Sequence, residues 1–363
     1  MAQSAYIHIP FCKSKCKYCS FVSYTGENED AKKRYVDTLL KEIGCYYKGE
    51  PLKTLYLGGG TPSLLETSDI ARITACFNFL PEAEITMEIN PETVDTDYLK
   101  RLKDTGINRI SVGIQSFNND ILKKIGRIHT AQKALQTLIG VKKAGFKNIS
   151  ADFIYGLPDQ TLDDFINDLN TITQLGVKHV SLYGLKIEEG CTFFAQPPQK
   201  LPDDDLQADM YLAAIETLES EGLLHYEISN FALPSFESRH NLNYWEDGEY
   251  YGFGAAAHGY IGGVRYSNFT TLKEYEKSYE SKEFLQALSK KERLEETIFL
   301  GFRKGQGIIT EKINSAFNID FEKEYAKPLK KYLQSGHILK TDKGYRLSNQ
   351  GFLLSNIILS EFI

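Results

Sequence analysis

The sequence predicts an α/β protein, a partial (β/α)6 barrel of the TIM type followed by a small helical, winged-helix-like C-terminal domain. Three observations carry this. Short β-rich runs alternate six times with helical stretches before residue 222, the pattern of a parallel sheet with crossover helices. Two of the helices close on glycine just before the next strand, at Asp104-Thr105-Gly106 and Lys143-Ala144-Gly145, where a left-handed residue ends a helix cheaply. And 363 residues exceed an ordinary domain but suit one barrel of roughly 200–250 residues plus a small unit.

In chain order the strand candidates are 5–10, 54–57, 84–90, 109–115, 148–155 and 179–185, with helical segments at 30–47, 67–79, 94–104, 130–144 and 162–174. A long helix is expected over 203–221. The stretch 223–268 is rich in Gly, Tyr and Asn without a helical period, and reads as a loop-rich extension over the barrel mouth. From 270 to 291 the chain turns polar and charged, as a helix or linker would. The expected division is therefore a barrel over 1–222, an extension and linker over 223–290, and a helical domain over 291–363. In the last, Asp342-Lys343-Gly344 makes a hairpin turn between two short strands, the wing of a winged helix.

Composition excludes several classes. An apolar content of 42% with 25% charged residues is that of a globular chain with a sizeable core. The net charge of −6 argues against a general nucleic-acid binder, and the C-terminal domain, with 12 basic against 9 acidic side chains, is only mildly basic; no nucleic-acid partner is expected. No apolar run approaches the roughly 20 residues of a membrane helix, and the N-terminal MAQSAYIHIPFC lacks the basic start and apolar stretch of a signal peptide. A cytoplasmic location follows, in which six cysteines stay reduced.

Three of those six crowd into Cys12-Lys-Ser-Lys-Cys16-Lys-Tyr-Cys19, directly after the first strand. Thiolates are the usual ligands of iron–sulfur clusters, and three on one loop hold three corners of a four-iron cube and leave the fourth iron open. Lys13, Lys15 and Lys17 offset the negative charge of thiolates and sulfides. A zinc site would need a fourth ligand, for which His8 is the candidate. Cys45, Cys76 and Cys191 have no such neighbours and read as small buried residues.

In α/β barrels functional groups sit at the C-terminal ends of strands. Gly58-Gly59-Gly60-Thr61-Pro62 follows the second strand; Glu88 lies near the end of the third; Gln115 ends the fourth, with Arg127 in the loop beyond; Asp152 lies in the fifth; Lys186 follows the sixth. Polar groups thus collect at one rim, where a cofactor with amino, carboxylate and ribose groups needs them.

The Cys-x3-Cys-x2-Cys spacing, with Tyr18 before the third cysteine, resembles the radical S-adenosylmethionine (SAM) superfamily, and the expected barrel is of the radical SAM type. Tyr6–Cys12 (YIHIPFC), 58–63 (GGGTPS), 111–117 (SVGIQSF) and 152–158 (DFIYGLP) are similar to the group that contains oxygen-independent coproporphyrinogen III oxidases and heme chaperones; Leu294-Glu295-Glu296 and Gly301-Phe302-Arg303 extend the likeness into the C-terminal domain. The resemblance implies a [4Fe-4S] cluster on Cys12, Cys16 and Cys19, with SAM chelating its open iron, and one-electron cleavage of that cofactor to a 5′-deoxyadenosyl radical. It also implies cofactor contacts at Tyr6, Gly59, Gly60, Thr61, Glu88, Gln115, Arg127 and Asp152. A second SAM molecule, which the oxidase can bind, stays open.

Within this group three features resemble the chaperone branch: Phe21 stands where the oxidase has a further cysteine, only five residues precede the first strand motif, and His240-Asn241-Leu242-Asn243-Tyr244-Trp245 matches HNxxYW. The branch implies heme as a cofactor, His240 as its axial ligand with His258 as the alternative, and Tyr244 and Trp245 packing on the macrocycle; on physical grounds alone the same residues suit a buried, aromatic-anchored loop. Implied partners are heme or another tetrapyrrole and membrane hemoproteins that receive it, with transient membrane association; a homodimer stays open. The alternative is a radical enzyme that decarboxylates the propionates of coproporphyrinogen III or acts on another tetrapyrrole. No residue is assigned as catalytic, and whether the chain is an enzyme stays open.

Overall fold

The computed structural model describes residues 2–363. Six parallel strands form the body of one sheet: β1 (Ser4–Ile9), β2 (Leu52–Gly59), β3 (Phe79–Ile89), β4 (Arg109–Gln115), β5 (Asn148–Tyr155) and β6 (His179–Gly184). Each pairs with its sequence neighbour in parallel register, and a helical connection follows each, as the expected (β/α)6 barrel requires. Expected and observed bounds coincide for β4, for β5 and for the helix Leu162–Gln174.

The strands alternate strictly. Ile110, Val112 and Ile114 of β4, with Ala151 and Phe153 of β5 and Val180 and Leu182 of β6, belong to the main apolar core. Their neighbours Arg109, Ser111, Ser150, His179 and Ser181 are equally buried but polar. Ser111 donates to Asp152 at 2.9 Å, and Ser150 pairs with His179 Nδ1 at 2.8 Å. One face of the sheet therefore supplies the core under the helices and the other lines the barrel.

The structure departs from the sequence reading over 223–268. This stretch is not a loop over the mouth: it supplies both edges of the sheet. β7 (Leu224–Glu227) and β8 (Asn230–Ala232) form a hairpin whose β8 pairs antiparallel with β6, and β9 (Tyr251–Phe253) lies parallel against β1. The full order is β9-β1-β2-β3-β4-β5-β6-β8-β7. Strands of three or four residues are too short to show alternation, so the sequence pattern misses them. Edge strand β9 is tied down by a buried cluster: the Glu42 carboxylate accepts from Gly254 N (2.8 Å), Asn268 Nδ2, Tyr275 OH and Lys282 Nζ (2.7 Å each).

The C-terminal part packs the helices Lys290–Phe302, Thr310–Phe317 and Ala326–Gln334 against a three-stranded sheet. Ile338–Lys340 and Gly344–Leu347 form the expected hairpin, and Ile308–Ile309 adds the third strand. No helix among the described residues is long and apolar enough to cross a membrane.

Candidate functional site

The triple glycine fixes where the cysteine loop runs. Gly60 N donates to Ile9 O at 2.9 Å, and a Cβ on Gly60 would stand 2.7 Å from Phe11 O. Gly59 has φ +106°, and a side chain there would meet the His8 ring at 2.5 Å. Only glycine lets the end of β2 pass this close to the end of β1, from which the loop departs. Phe11–Cys12 then pairs with Tyr24–Thr25, Lys17 N donates to Ile125 O (3.0 Å), and Cys19 N donates to Cys16 O (3.2 Å).

The three cysteines line a cavity of about 540 Å³ at the C-terminal ends of the strands. Gly59, Gly60, Thr61, Glu88, Gln115, Arg127, Asp152 and Lys186 line the same cavity, brought there by five successive strands and the loops after them. Gln115 holds a left-handed conformation, φ +68°, at a break in the β4–β5 register, an uncommon state for a residue with a side chain. Tyr6 and His240 are not on the cavity wall.

A hydrogen-bonded chain reaches two of the sulfurs. Arg127 Nη1 lies 3.6 Å from Cys16 Sγ, and Nη2 donates to Asn90 Oδ1 (2.8 Å) and Gly113 O (2.5 Å). Asn90 Nδ2 donates to Thr61 Oγ1 (2.9 Å), and the Thr61 hydroxyl donates to Cys12 Sγ (3.6 Å). Sequence reasoning passes over Asn90, whose one signal is its place before Pro91 at a strand end.

Burial pushes the Cys12 and Cys19 thiols up, and the neighbouring sulfurs add to this by repulsion. Bound iron, by its positive charge, would reverse that balance and hold all three as thiolates. Among the described residues no group of three His, Cys, Asp or Glu side chains converges as a single metal ion requires. The zinc alternative also lacks its fourth ligand, because His8 Nδ1 is bonded to Tyr6 OH (3.0 Å) and Nε2 to Val22 O (2.9 Å). Three thiols on one cavity wall, backed by Thr61 and Arg127, fit a multi-iron cluster better.

Glu88, Glu92, Asp152 and Glu188 line this cavity, and burial shifts two of them upward. Burial pushes Glu88 up to about 7 even though Tyr56 OH donates to it at 2.8 Å. Burial also raises Asp152, against the hydroxyls of Ser181, Ser111 and Ser150.

His240 lies one layer below. It opens the helix Arg239–Trp245, whose N-terminus points Arg239 N and His240 N at the buried Glu84 carboxylate (3.2 and 3.0 Å). The ring, 1% exposed, stacks on Tyr56 at 5.1 Å. Nδ1 is bonded to Thr54 Oγ1 and Nε2 to Tyr244 OH, both at 2.8 Å. Burial first, and the Arg109 charge second, pull its pKa down to about 3, so the ring is neutral. Tyr6 is half-buried and stacked on Tyr56 at 6.2 Å. His258 is exposed at a strand start. Of the other cysteines, Cys191 is buried as expected and Cys76 half-buried, whereas Cys45 is exposed, a correction: it sits in the last turn of Glu29–Tyr46, on the side away from the core.

Residues 6–172 match the family model for the radical SAM superfamily, and residues 288–354 match that for the HemN C-terminal domain. Along 99% of its length the chain is 38% identical to a Lactococcus lactis protein, the heme chaperone HemW, and covers 97% of that protein. The chain belongs to the HemW family. The Bacillus subtilis HemW is 35% identical over 99% of each chain, and the Escherichia coli HemW is 40% identical over 71% of this chain and 70% of its own. The fold is also that of the solved coproporphyrinogen III oxidase HemN of Escherichia coli, with a TM-score of 0.86 at 24% identity, covering 99% of this chain and 90% of that one. Membership of the radical SAM superfamily implies a [4Fe-4S] cluster and SAM. HNxxYW is here the helix that floors the barrel.

Proposed function

We propose that this chain is a heme-binding chaperone that holds a [4Fe-4S] cluster and SAM in the barrel-mouth cavity and passes heme to respiratory hemoproteins. The observation that carries the reading is likeness over the whole chain to proteins named heme chaperones, joined to a cavity whose wall holds three cysteines. Cys12, Cys16 and Cys19 would ligate three irons, and the open iron would supply one-electron reduction of the sulfonium cofactor. Arg127 supports the Cys16 sulfur and Thr61 that of Cys12. Glu88, Asp152, Gln115 and Lys186 offer charged and amide groups to the amino-acid and ribose parts of the cofactor. Phe21, 64% exposed at the rim, brings no further thiol to this site.

One assay tests the reading against the oxidase alternative. The cluster is reconstituted anaerobically and SAM, reductant and coproporphyrinogen III are supplied. No protoporphyrinogen is expected, and heme added to the same protein should give a saturable Soret shift. Protoporphyrinogen formation would sink the chaperone reading.

His240 ligates heme only by giving up its bond to Thr54 or to Tyr244. Heme titration of His240→Ala is expected to lose the imidazole-ligated Soret band; an unchanged band assigns His240 to the barrel scaffold alone.

A further inference from the structure

A second cavity, of about 550 Å³, lies between the barrel and the C-terminal part. It is distinct from the cysteine cavity but shares with it the wall 183–186 and Ser229. Its wall mixes polar side chains with aromatic ones, of which Tyr155, Tyr211, Tyr244, Trp245 and Phe352 come from four separate elements. Three charged side chains line it, Lys186, Glu227 and Arg303.

Glu227 is sealed. It is 0% exposed, it accepts from Asn230 Nδ2, from Ser229 N (3.1 Å) and from the Trp245 indole, and burial raises it to about 7, so it carries only part of a charge at neutral pH. Arg303 is different. Its guanidinium lies over the Phe299 ring at 4.2 Å and the Trp245 ring at 5.8 Å, and Nη2 donates to Asn356 Oδ1 at 2.9 Å. Its Nε is buried with no hydrogen-bond partner among the described residues. The buried Glu227 carboxyl favours its charge through space, yet a half-buried arginine between rings keeps donors unspent that an anionic group in the cavity would complete. Arginine is also the side chain whose planar fork grips carboxylates in pairs of hydrogen bonds.

We propose that this second cavity binds a flat, largely apolar ring system bearing carboxylates, with Arg303 as the carboxylate anchor and Lys186 as a second cation on the wall shared with the cysteine cavity. The identity of the ring rests on the heme-chaperone reading: the ligand class is a propionate-bearing tetrapyrrole. The shared wall places such a cargo beside the cysteine cavity, with the 183–186 segment and Ser229 between them.

The full-length protein is titrated with heme and with heme dimethyl ester, whose propionates carry no charge, following the Soret band. Wild type should bind heme at least tenfold more tightly than the ester. Arg303→Gln should lose that preference, binding heme at least tenfold more weakly and the ester unchanged, and Arg303→Lys should recover part of it. Equal affinity of wild type for heme and ester, or an undiminished preference in Arg303→Gln, overturns the anchor while the chaperone reading stands. Failure of wild type to bind either compound overturns the chaperone reading itself. If Arg303→Gln fails to fold, the comparison of heme with ester on wild type still decides.

Discussion

On β5, Ala151 and Phe153 are sealed in the apolar core, whereas Asp152 between them faces the cavity that the cysteines line. The two faces of one sheet, a residue apart, answer to different physics. The outer face is stabilised by area removed from water and by close packing, and tolerates no cavity. The inner face buries charge and hydroxyls, several of them held by named partners: Asp152 by Ser111 and Ser150, His179 by Ser150 and Tyr226, Glu84 by the Arg239–Trp245 helix start. A barrel packed throughout with Val, Ile and Leu would have no room for a cofactor. Here the inner face gives up apolar packing, and the outer face carries the stability.

Substitutions on each face should therefore separate. The largest effect is expected at the mouth: Cys16→Ala should abolish the cluster absorbance near 400 nm and its reduced-state EPR signal after reconstitution, with circular dichroism preserved. Retention of the cluster would show that the loop is not its holder. Next, Phe153→Ala on the outer face should cost about 3–5 kcal/mol in urea unfolding and leave SAM affinity within a factor of two; a loss of SAM binding at unchanged stability would break the division between faces. The smallest effect is a slope. The folded-state pKa of Glu88 is raised to about 7 from an ordinary 4.5, so the folded state holds the extra proton and stability of the cluster-free protein falls as pH rises between those values. Glu88→Gln should flatten that part of the pH–stability curve, and an unaltered slope would place the titration elsewhere.

The alternation that separates the faces is visible in the sequence, in runs such as Arg109-Ile-Ser-Val-Gly-Ile and Ser150-Ala-Asp-Phe. So are the six strand–helix units, the cysteine spacing, and the rim residues from Gly59 to Lys186, because strand ends after regular units fall at one predictable place. What escapes is what tertiary contact alone creates. Tyr56 sits mid-strand with no motif, yet it divides His240 from the cavity and bonds Glu88. Glu227 and Arg303, distant in sequence, come to one cavity only when the C-terminal part docks. His240 is legible as part of a motif, but its bonds to Thr54 and Tyr244 are not, since sequence spacing does not tell whether an imidazole faces a ligand or its own scaffold.

The pairing of Ala5 with Tyr251 has a consequence for synthesis of the chain. During synthesis β1 cannot complete its outer edge until residues 251–253 follow, and the Glu42 cluster that fastens them waits for Lys282. A chain stopped at residue 222 would hold all six strand–helix units and yet show open edges at both β1 and β6, each a template for pairing with another molecule. The barrel is thus a late product of translation, closed by its most non-local contacts.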